Sequence, residues 1–508
     1  MAASRTKNTI RNIGAGLTNR VISIIMPFVN RTAIIWILGA EFAGLSGLFS
    51  SILNVLNIAE LGFNSAVVYS LYELFARRDE ERICELVTLL RRVYRIVGTA
   101  VLLLGLIVLP FLPHLVKGDI PDGISIYILY LLYLLNSSLS YFLFAYKECL
   151  LIADQRQDIA SNIRTAVSVA KYVAQLAVLL ITKDFYLYLV VAIIGTAVTN
   201  IAIQIATQKK YPKYHALHVS VAMPDKMKQQ IKGLVINRVC DTFRNSFDSI
   251  IISSLLGLTA TAIYGNYYYI YSSLYGIMLV FCNAMAASVG NSIVEKSRED
   301  NYENMLTFSA AFGWIMGWCT VCLACLYQPF MELWVGKSLL LPERDMLLFC
   351  VYFYVINMNN IRNQYISGTG MWWKFRISYI VEALANLILN ILLGKLWGIT
   401  GVILASIITI FLFNYLCRNI ILFRNYFVGK HAWKYMAEQL VYAAIAAAAV
   451  FVTYRCSLYV QMGAMSTMIV RGIICILVPN LIFLFGIWVS PRRKMVFQLL
   501  KVVICRKY

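Results

Sequence analysis

The sequence predicts an all-α integral membrane protein that crosses a bilayer about fourteen times. Hydrophobic residues make up 60% of the 508 residues and charged residues only 14%, whereas soluble domains contain about 25% charged residues. The mean hydropathy is +0.70, and runs of about 20 apolar residues, each long enough to span a bilayer as a helix, recur along the whole chain. The predicted spans are residues 17–38, 45–74, 93–115, 124–146, 159–182, 185–207, 234–256, 260–290, 305–327, 346–367, 377–396, 398–422, 436–454 and 466–489.

The distribution of basic residues predicts the orientation of these spans. The formal net charge is +20, and most of the 45 Lys and Arg residues lie in alternate loops, which is the positive-inside pattern of membrane proteins. We therefore expect both termini in the cytoplasm, and the charge requires no nucleic-acid partner. A few basic residues fall in the loops of the opposite side, namely Lys117, Lys183, Lys337, Arg344, Lys395 and Arg455.

An internal repeat predicts how the spans are grouped. A shift of 218 residues places Asn19-Arg20-Val21 on Asn237-Arg238-Val239 and Leu38-Gly39 on Leu256-Gly257. Six spans separate the two copies, and an even number preserves direction, so we expect parallel repeats. The predicted domains are an N-lobe of six helices at 1–220, a C-lobe of six helices at 221–425, and a C-terminal helix pair with a basic tail at 426–508.

Ionisable residues inside the predicted spans are candidates for function, because a charge at the bilayer centre costs about 2.5 to 3.5 kcal/mol. Arg20 and Arg31 are eleven residues apart, which places them within about 20° of each other on the first helix. Snorkelling to the headgroups is the alternative for Arg20. Basic residues outnumber acidic ones inside the spans: Arg20, Arg31, Lys171, Arg238, Arg244, Arg362 and Arg471 against Glu60, Asp241, Asp248 and Glu382.

Two polar stripes have both a functional and a structural interpretation. In the seventh span Asn237, Asp241, Arg244 and Asp248 share one face, which fits an ion-pair network as well as ligand or ion binding. In the tenth and eleventh spans, interhelical hydrogen bonding and contacts with sugar hydroxyls both remain open. The candidate sugar contacts are Asn360, Asn386 and Asn390.

Signatures of enzymes are missing from the sequence. It contains no Walker sequence, no HExxH and no GxSxG, and we expect no metal site and no cofactor beyond a coupling ion. The predicted outside loops are short, which argues against a membrane-embedded polysaccharide polymerase or ligase.

The helix count, the parallel lobes and three short segments resemble the Wzx-type polysaccharide flippases, within the superfamily that also contains the lipid II flippase and the multidrug and toxin extruders. The segments are LGFNSAVVYSLYELF at 61–75, ARRDEERI at 76–83 and LWGITGVILASII at 396–408. The resemblance implies a V-shaped pair of lobes around a cationic cavity. It also implies transfer of an undecaprenyl-pyrophosphate-linked oligosaccharide from the inner to the outer leaflet. The residues carried over as substrate contacts are Arg20, Arg31, Arg238 and Arg244.

Guanidinium groups bind phosphate oxygens bidentately and keep their proton, so the basic excess favours an anionic lipid headgroup. A cation-coupled small-molecule antiporter of the same fold is the alternative. H⁺ or Na⁺ is the expected coupling ion, at Glu60, Asp241, Asp248 or Glu382. The expected location is the bacterial cytoplasmic membrane, with membrane lipids and polysaccharide assembly proteins as further partners.

Overall fold

Helices account for nearly all of the chain that the structure describes. The computed structural model describes residues 2–57, 71, 74–75, 77, 79–118, 120–121, 123–214, 225–460, 462–489, 492–493 and 495, and no strand occurs among them. The chain divides into two compact units, residues 1–262 and 263–508. This division places the seventh predicted span in the first unit, and the predicted domain boundaries at 220 and 425, which refer to the repeat, stay predictions.

The first unit consists of eight long or short helices and the start of a ninth. A 3₁₀ turn at Leu109–Phe111 and a short helix at Leu112–Leu115 continue α3. The helices are α1 (Ala2–Ile37), α2 (Ala40–Leu56), α3 (Glu80–Val108), α4 (Ile126–Phe142), α5 (Glu148–Ala153), α6 (Gln157–Thr182), α7 (Phe185–Lys210), α8 (Asp225–Leu256) and the first residues of α9 (Leu258–Glu295).

The second unit contains the rest of α9 and eight further helices. A π-helix at Ile410–Cys417 interrupts the sequence of α-helices. The others are α10 (Arg298–Val335), α11 (Glu343–Asn357), α12 (Asn360–Thr369), α13 (Arg376–Trp397), α14 (Ile399–Thr409), α15 (Arg418–Asn425), α16 (Ala432–Leu458) and α17 (Ala464–Val489).

The predicted fold class is confirmed: the chain is an all-α, multi-pass membrane protein. Ten helices of the described residues are long and apolar enough to cross a membrane, or eleven if the bent pair Ile126–Phe142 and Ala145–Ala153 counts as one span. Each of the eleven coincides with a predicted span. The first predicted span, for example, is residues 17–38, and the structure has Thr18–Ile37.

The other three predicted spans fail the test of length or apolarity for identifiable reasons. Span 45–74 corresponds to α2, which ends at Leu56, and residues 58–70 lie outside the described residues. Span 234–256 lies within α8, whose charges and amides lower its apolarity. Span 346–367 is divided between α11 and α12, because the helix breaks at Met358 and Asn359.

The turns after α1 and α8 agree with the 218-residue register. Gly39 and Gly257 occupy equivalent positions, and both have positive φ angles, 114° and 93°. Glycine adopts this region without the steric penalty that a Cβ atom imposes. Each glycine ends one long helix and is followed directly by the next, at Ala40 and Leu258.

A break between α4 and α5 bends the chain by 45° inside the first unit. Phe144 lies in this break with φ of 31°, a conformation that is uncommon for a bulky residue. The chain then continues through a 3₁₀ turn at Ala145–Lys147 into α5. The break places Glu148 at the start of α5, where it contacts α6.

Candidate functional site

Helix α1 presents two neighbouring polar faces. Asn19, Ser23 and Asn30 lie on one face, because separations of four and eleven residues differ by only about 40° and 20° from whole turns. This face packs against α6: the Asn19 amide donates to Thr165 Oγ1 at 3.0 Å, and the Asn30 amide donates to the Tyr172 carbonyl at 3.4 Å.

The predicted arginine pair lies on the adjacent face of α1, one residue further along. Arg20 is exposed near the start of the apolar part of the helix, and Arg31 is half-buried about 17 Å away along the axis. The Arg31 guanidinium donates to the Ala262 carbonyl at 3.4 Å. Its charge also acts on the Tyr133 hydroxyl of α4, which donates to Ser46 Oγ at 2.8 Å.

The polar stripe of α8 divides into a buried and an exposed part. Arg244 is only 5% exposed and lies 3.4 Å from Asp241 one turn away, which fits the ion-pair interpretation of the stripe. Asp248 is fully buried, whereas Arg238 is exposed. Asn237 is buried beside exposed Arg238, and in the equivalent pair of α1 Arg20 is likewise the exposed member. The fourth candidate carboxylate, Glu60, lies outside the described residues.

A polar cavity of about 560 Å³ lies among the helices of the first unit. We call it the first-unit cavity. Ten of its twelve lining side chains carry a hydroxyl, amide or charged group, so it differs from the apolar packing around it. The lining residues are Asn19, Ser23, Tyr94, Ser140, Ala145, Glu148, Arg164, Ser168, Thr196, Thr199, Asn200 and Ile203.

Hydrogen bonds between neighbouring helices hold the lining of this cavity in place. Thr196 Oγ1 donates to Asn136 Oδ1 at 2.7 Å, and the Asn200 amide donates to Ser140 Oγ at 3.1 Å, so α7 is tied twice to α4. Arg164 of α6 forms an ion pair with Glu148 of α5. The pair brings opposite charges into the cavity wall, so the wall has little net charge.

The second unit buries an ion pair that includes the candidate coupling residue Glu382. Glu382 of α13 pairs with Arg418 of α15, and the two side chains are 2% and 4% exposed. Arg418 also donates from Nε to Ser378 Oγ at 3.3 Å and lies 3.9 Å from the Tyr379 ring centroid. Such a pair stabilises a fold only when further contacts offset its desolvation, and the hydroxyl and the ring supply them.

A second buried arginine, Arg362, lies against the π-helix. It is fully buried and donates to Asn359 Oδ1 at 2.9 Å, to Asn363 Oδ1 at 2.7 Å and to Asn414 Oδ1 at 2.5 Å. It also donates to the Asn414 backbone carbonyl. A π-helix shifts the hydrogen-bond register of the backbone, and here that shift coincides with a carbonyl that receives a guanidinium.

The three candidate sugar contacts are buried and hydrogen-bonded within the second unit. The Asn386 amide donates to Ser406 Oγ at 3.2 Å and to Thr409 Oγ1 at 3.3 Å, which joins α13 to α14. Asn390 donates to Asn386, and Asn360 donates to Asn357. These contacts fit the interhelical interpretation that the sequence left open, and contact with sugars stays a prediction for them.

The structure adds residues that the sequence interpretation missed. Arg164 and Arg418 lie inside the predicted spans 159–182 and 398–422, so their positions alone could have included them among the intramembrane charges. They were omitted because each lies near the predicted cytoplasmic end of its span. No pattern in the sequence pairs them with Glu148 and Glu382, because those contacts join different helices.

Comparisons with known proteins place this arrangement in a known fold. No protein-family model matches the sequence, and no curated protein matches it significantly. Among solved structures, the lipid II flippase MurJ in an inward closed conformation has a TM-score of 0.67 at 14% identity, over 96% of this chain and 100% of that chain. The fold is that of the MOP-superfamily transporters.

Two multidrug transporters of this superfamily are also similar. A mutant of the Vibrio cholerae MATE transporter VcmN has a TM-score of 0.55 at 15% identity, over 86% of this chain and 97% of that chain. An inward-facing MATE transporter has a TM-score of 0.58 at 14% identity, over 79% and 97% of the two chains. At these identities the similarity to MOP transporters establishes the fold and leaves the substrate open.

Proposed function

We propose that this protein is a flippase that moves an undecaprenyl-pyrophosphate-linked oligosaccharide from the inner to the outer leaflet by alternating access. The repeat unit of an O-antigen, a capsule or an exopolysaccharide is the substrate class, and the location is the bacterial cytoplasmic membrane with both termini inside. The observation that carries the proposal is the cationic face of α1, where Arg20 and Arg31 lie on one line in a membrane-spanning helix.

The chemistry of the headgroup explains why this face suits a lipid pyrophosphate. A multiply charged anion in a medium of low dielectric needs counter-charge, and guanidinium groups supply it with paired hydrogen bonds to phosphate oxygens. Arg244 is already paired with Asp241. The exposed or half-buried guanidiniums Arg20, Arg31 and Arg238 are therefore the stronger candidates for contacts with the substrate.

The comparisons support a lipid substrate through the lipid II flippase, which matches over almost the whole of both chains. The similarity to MATE transporters supports the second candidate, a cation-coupled antiporter of small molecules. An extruder of organic cations would use acidic and aromatic walls. The basic excess inside the spans favours the flippase, and a membrane-embedded polymerase or ligase ranks third.

Ion coupling belongs to the same proposal. Asp241 and Glu382 each contact an arginine, so binding of H⁺ or Na⁺ at either carboxylate would compete with an ion pair and could shift the helices that the pair joins. Asp248 and Glu60 are the other candidate carboxylates. No resident metal or organic cofactor is part of the proposed cycle.

Deletion of the gene in its host tests the proposed function. We expect a lipid-linked glycan to accumulate on the inner leaflet of the cytoplasmic membrane, detected by extraction of polyprenyl-linked sugars and by the loss of one surface polysaccharide. Increased sensitivity to cationic drugs without such accumulation would favour the antiporter instead.

A further inference from the structure

We propose that the first-unit cavity binds the sugars that follow the pyrophosphate of the lipid-linked oligosaccharide. This inference rests on the proposed function and deepens it, since it assigns the glycan to a site separate from the arginines. The site is built from α1, α6 and α7, with contributions from α3, α4 and α5.

The position of the cavity relative to the arginines is the first argument. Asn19 and Ser23 line the cavity, and Arg20 follows Asn19 directly. Successive residues of a helix differ by about 100° and 1.5 Å, so the cavity and the cationic face adjoin along α1. A pyrophosphate held by Arg20 and Arg31 would therefore have its first sugar next to Asn19 and Ser23.

The chemistry of the lining is the second argument. Sugars present hydroxyls that both donate and accept hydrogen bonds, and the hydroxyls of Ser168 and Thr199 and the amide of Asn200 do the same. Binding sites for small molecules usually measure about 300 to 1,000 Å³, and the volume of about 560 Å³ lies in this range.

The charge of the wall is the third argument. Arg164 and Glu148 neutralise each other, so the cavity offers an organic cation no uncompensated carboxylate. A guanidinium has five donors and a carboxylate about four acceptor positions, so the pair can bind hydroxyls while it remains an ion pair. These properties suit a neutral, hydroxyl-rich ligand.

The location in a membrane-spanning unit is the fourth argument. Polar groups in this environment carry a large desolvation cost when they lack partners. Hydrogen bonds between α4 and α7 satisfy part of the lining, and a glycan would satisfy more. The candidate amides of the second unit, Asn386 and Asn390, are in contrast fully buried and bonded among themselves.

A pair of matched variants on neighbouring residues of α7 tests the inference. Thr199→Phe fills the cavity, whereas Val198→Phe adds the same ring on the exposed face of the helix, where Val198 is 45% exposed. Binding of two probes to the purified full-length protein is measured by microscale thermophoresis. The probes are undecaprenyl pyrophosphate and the lipid-linked oligosaccharides extracted from host membranes.

We expect Thr199→Phe to weaken binding of the glycosylated probe about ten-fold, a difference of about 1.4 kcal/mol, and to leave binding of undecaprenyl pyrophosphate unchanged. Val198→Phe should change neither, and Arg31→Ala should weaken both. Equal effects of Thr199→Phe on the two probes, or no effect on either, would overturn the inference.

A milder variant keeps the test valid if Thr199→Phe fails to fold. Thr199→Val removes the hydroxyl at nearly constant volume, and that hydroxyl bonds only the Gly195 carbonyl of its own helix among the described contacts. We expect a loss of a few-fold for the glycosylated probe alone. Wild-type protein that binds neither probe would refute the proposed function itself, whereas wild-type binding of both with unaltered cavity variants would refute only this inference.

Discussion

Arg31 lies thirteen residues inside the span Thr18–Ile37, where a guanidinium is costly unless it serves a purpose. We predict that Arg31→Glu lowers export of the surface polysaccharide at least ten-fold, because a carboxylate repels the pyrophosphate. Arg31→Ala should also abolish most export, and Arg31→Lys should retain part, since lysine keeps the charge but loses the bidentate geometry. Complementation of the deletion strain measures the effect.

The matched control for this prediction is Arg455→Glu, at the exposed end of α16. It makes the same change of charge outside the proposed path and should complement fully. Full export by Arg31→Glu would show that this residue does not contact the substrate.

The ion pair of Glu382 and Arg418 predicts a stability effect. Arg418→Met leaves a buried carboxylate without its cation and should lower the free energy of unfolding by about 3 to 5 kcal/mol. The double variant Glu382→Gln with Arg418→Met removes both charges and should recover most of that loss. Thermal unfolding in detergent measures both, and a double variant less stable than Arg418→Met would contradict the structural role of the pair.

At the scale of elements, α8 shows where hydropathy alone becomes insufficient. The sequence predicts a span at 234–256, yet the helix fails the test of apolarity because of residues such as Arg238, Asp241 and Arg244. Its stability in the membrane must come from its neighbours. Arg244 and Asp248 are buried against them in the folded unit.

This dependence predicts how α8 behaves alone. Segment 234–256, placed in a carrier protein and tested for insertion by glycosylation mapping, should insert poorly, because each central Arg or Asp costs about 2.5 to 3.5 kcal/mol. Segment 185–207 of α7 serves as the control and should insert well. Equal insertion of the two segments would show that α8 needs no partner helices.

The π-helix at Ile410–Cys417 is an element that the sequence did not predict. Span 398–422 has the composition of an ordinary apolar helix, and its limits agree with the structure at Ile399–Asn425. The changed register inside it coincides with the contacts of Asn414 to Arg362, which belongs to another helix. A local pattern contains no information about that distant side chain.

At the scale of the whole molecule, the sequence predicts the membrane fold well, since apolarity and length are local properties. The equivalent turns at Gly39 and Gly257 show that the repeat register could be read from the sequence as well. The direction of polar side chains is different, because it depends on packing. Glu382, Asn386 and Asn390 share a face in the sequence, and only the structure shows that this face is buried against Arg418 and Ser406.

The proposed coupling makes a prediction for transport by the whole protein. In proteoliposomes, an imposed pH or Na⁺ gradient should raise the rate of transfer several-fold, and Asp241→Asn should reduce the response because the carboxylate that pairs with Arg244 is lost. Transfer that ignores both gradients would exclude ion coupling.

The most direct test of the central claim is transfer of the glycan across a membrane by the purified protein. Lipid-linked oligosaccharide is incorporated into proteoliposomes together with the protein, and an impermeant glycosidase added outside reports the accessible fraction over time. The account predicts that wild-type protein makes nearly all of the glycan accessible, whereas Arg31→Glu leaves about half protected, as protein-free vesicles do. Equal protection with wild-type protein and without protein would contradict the account.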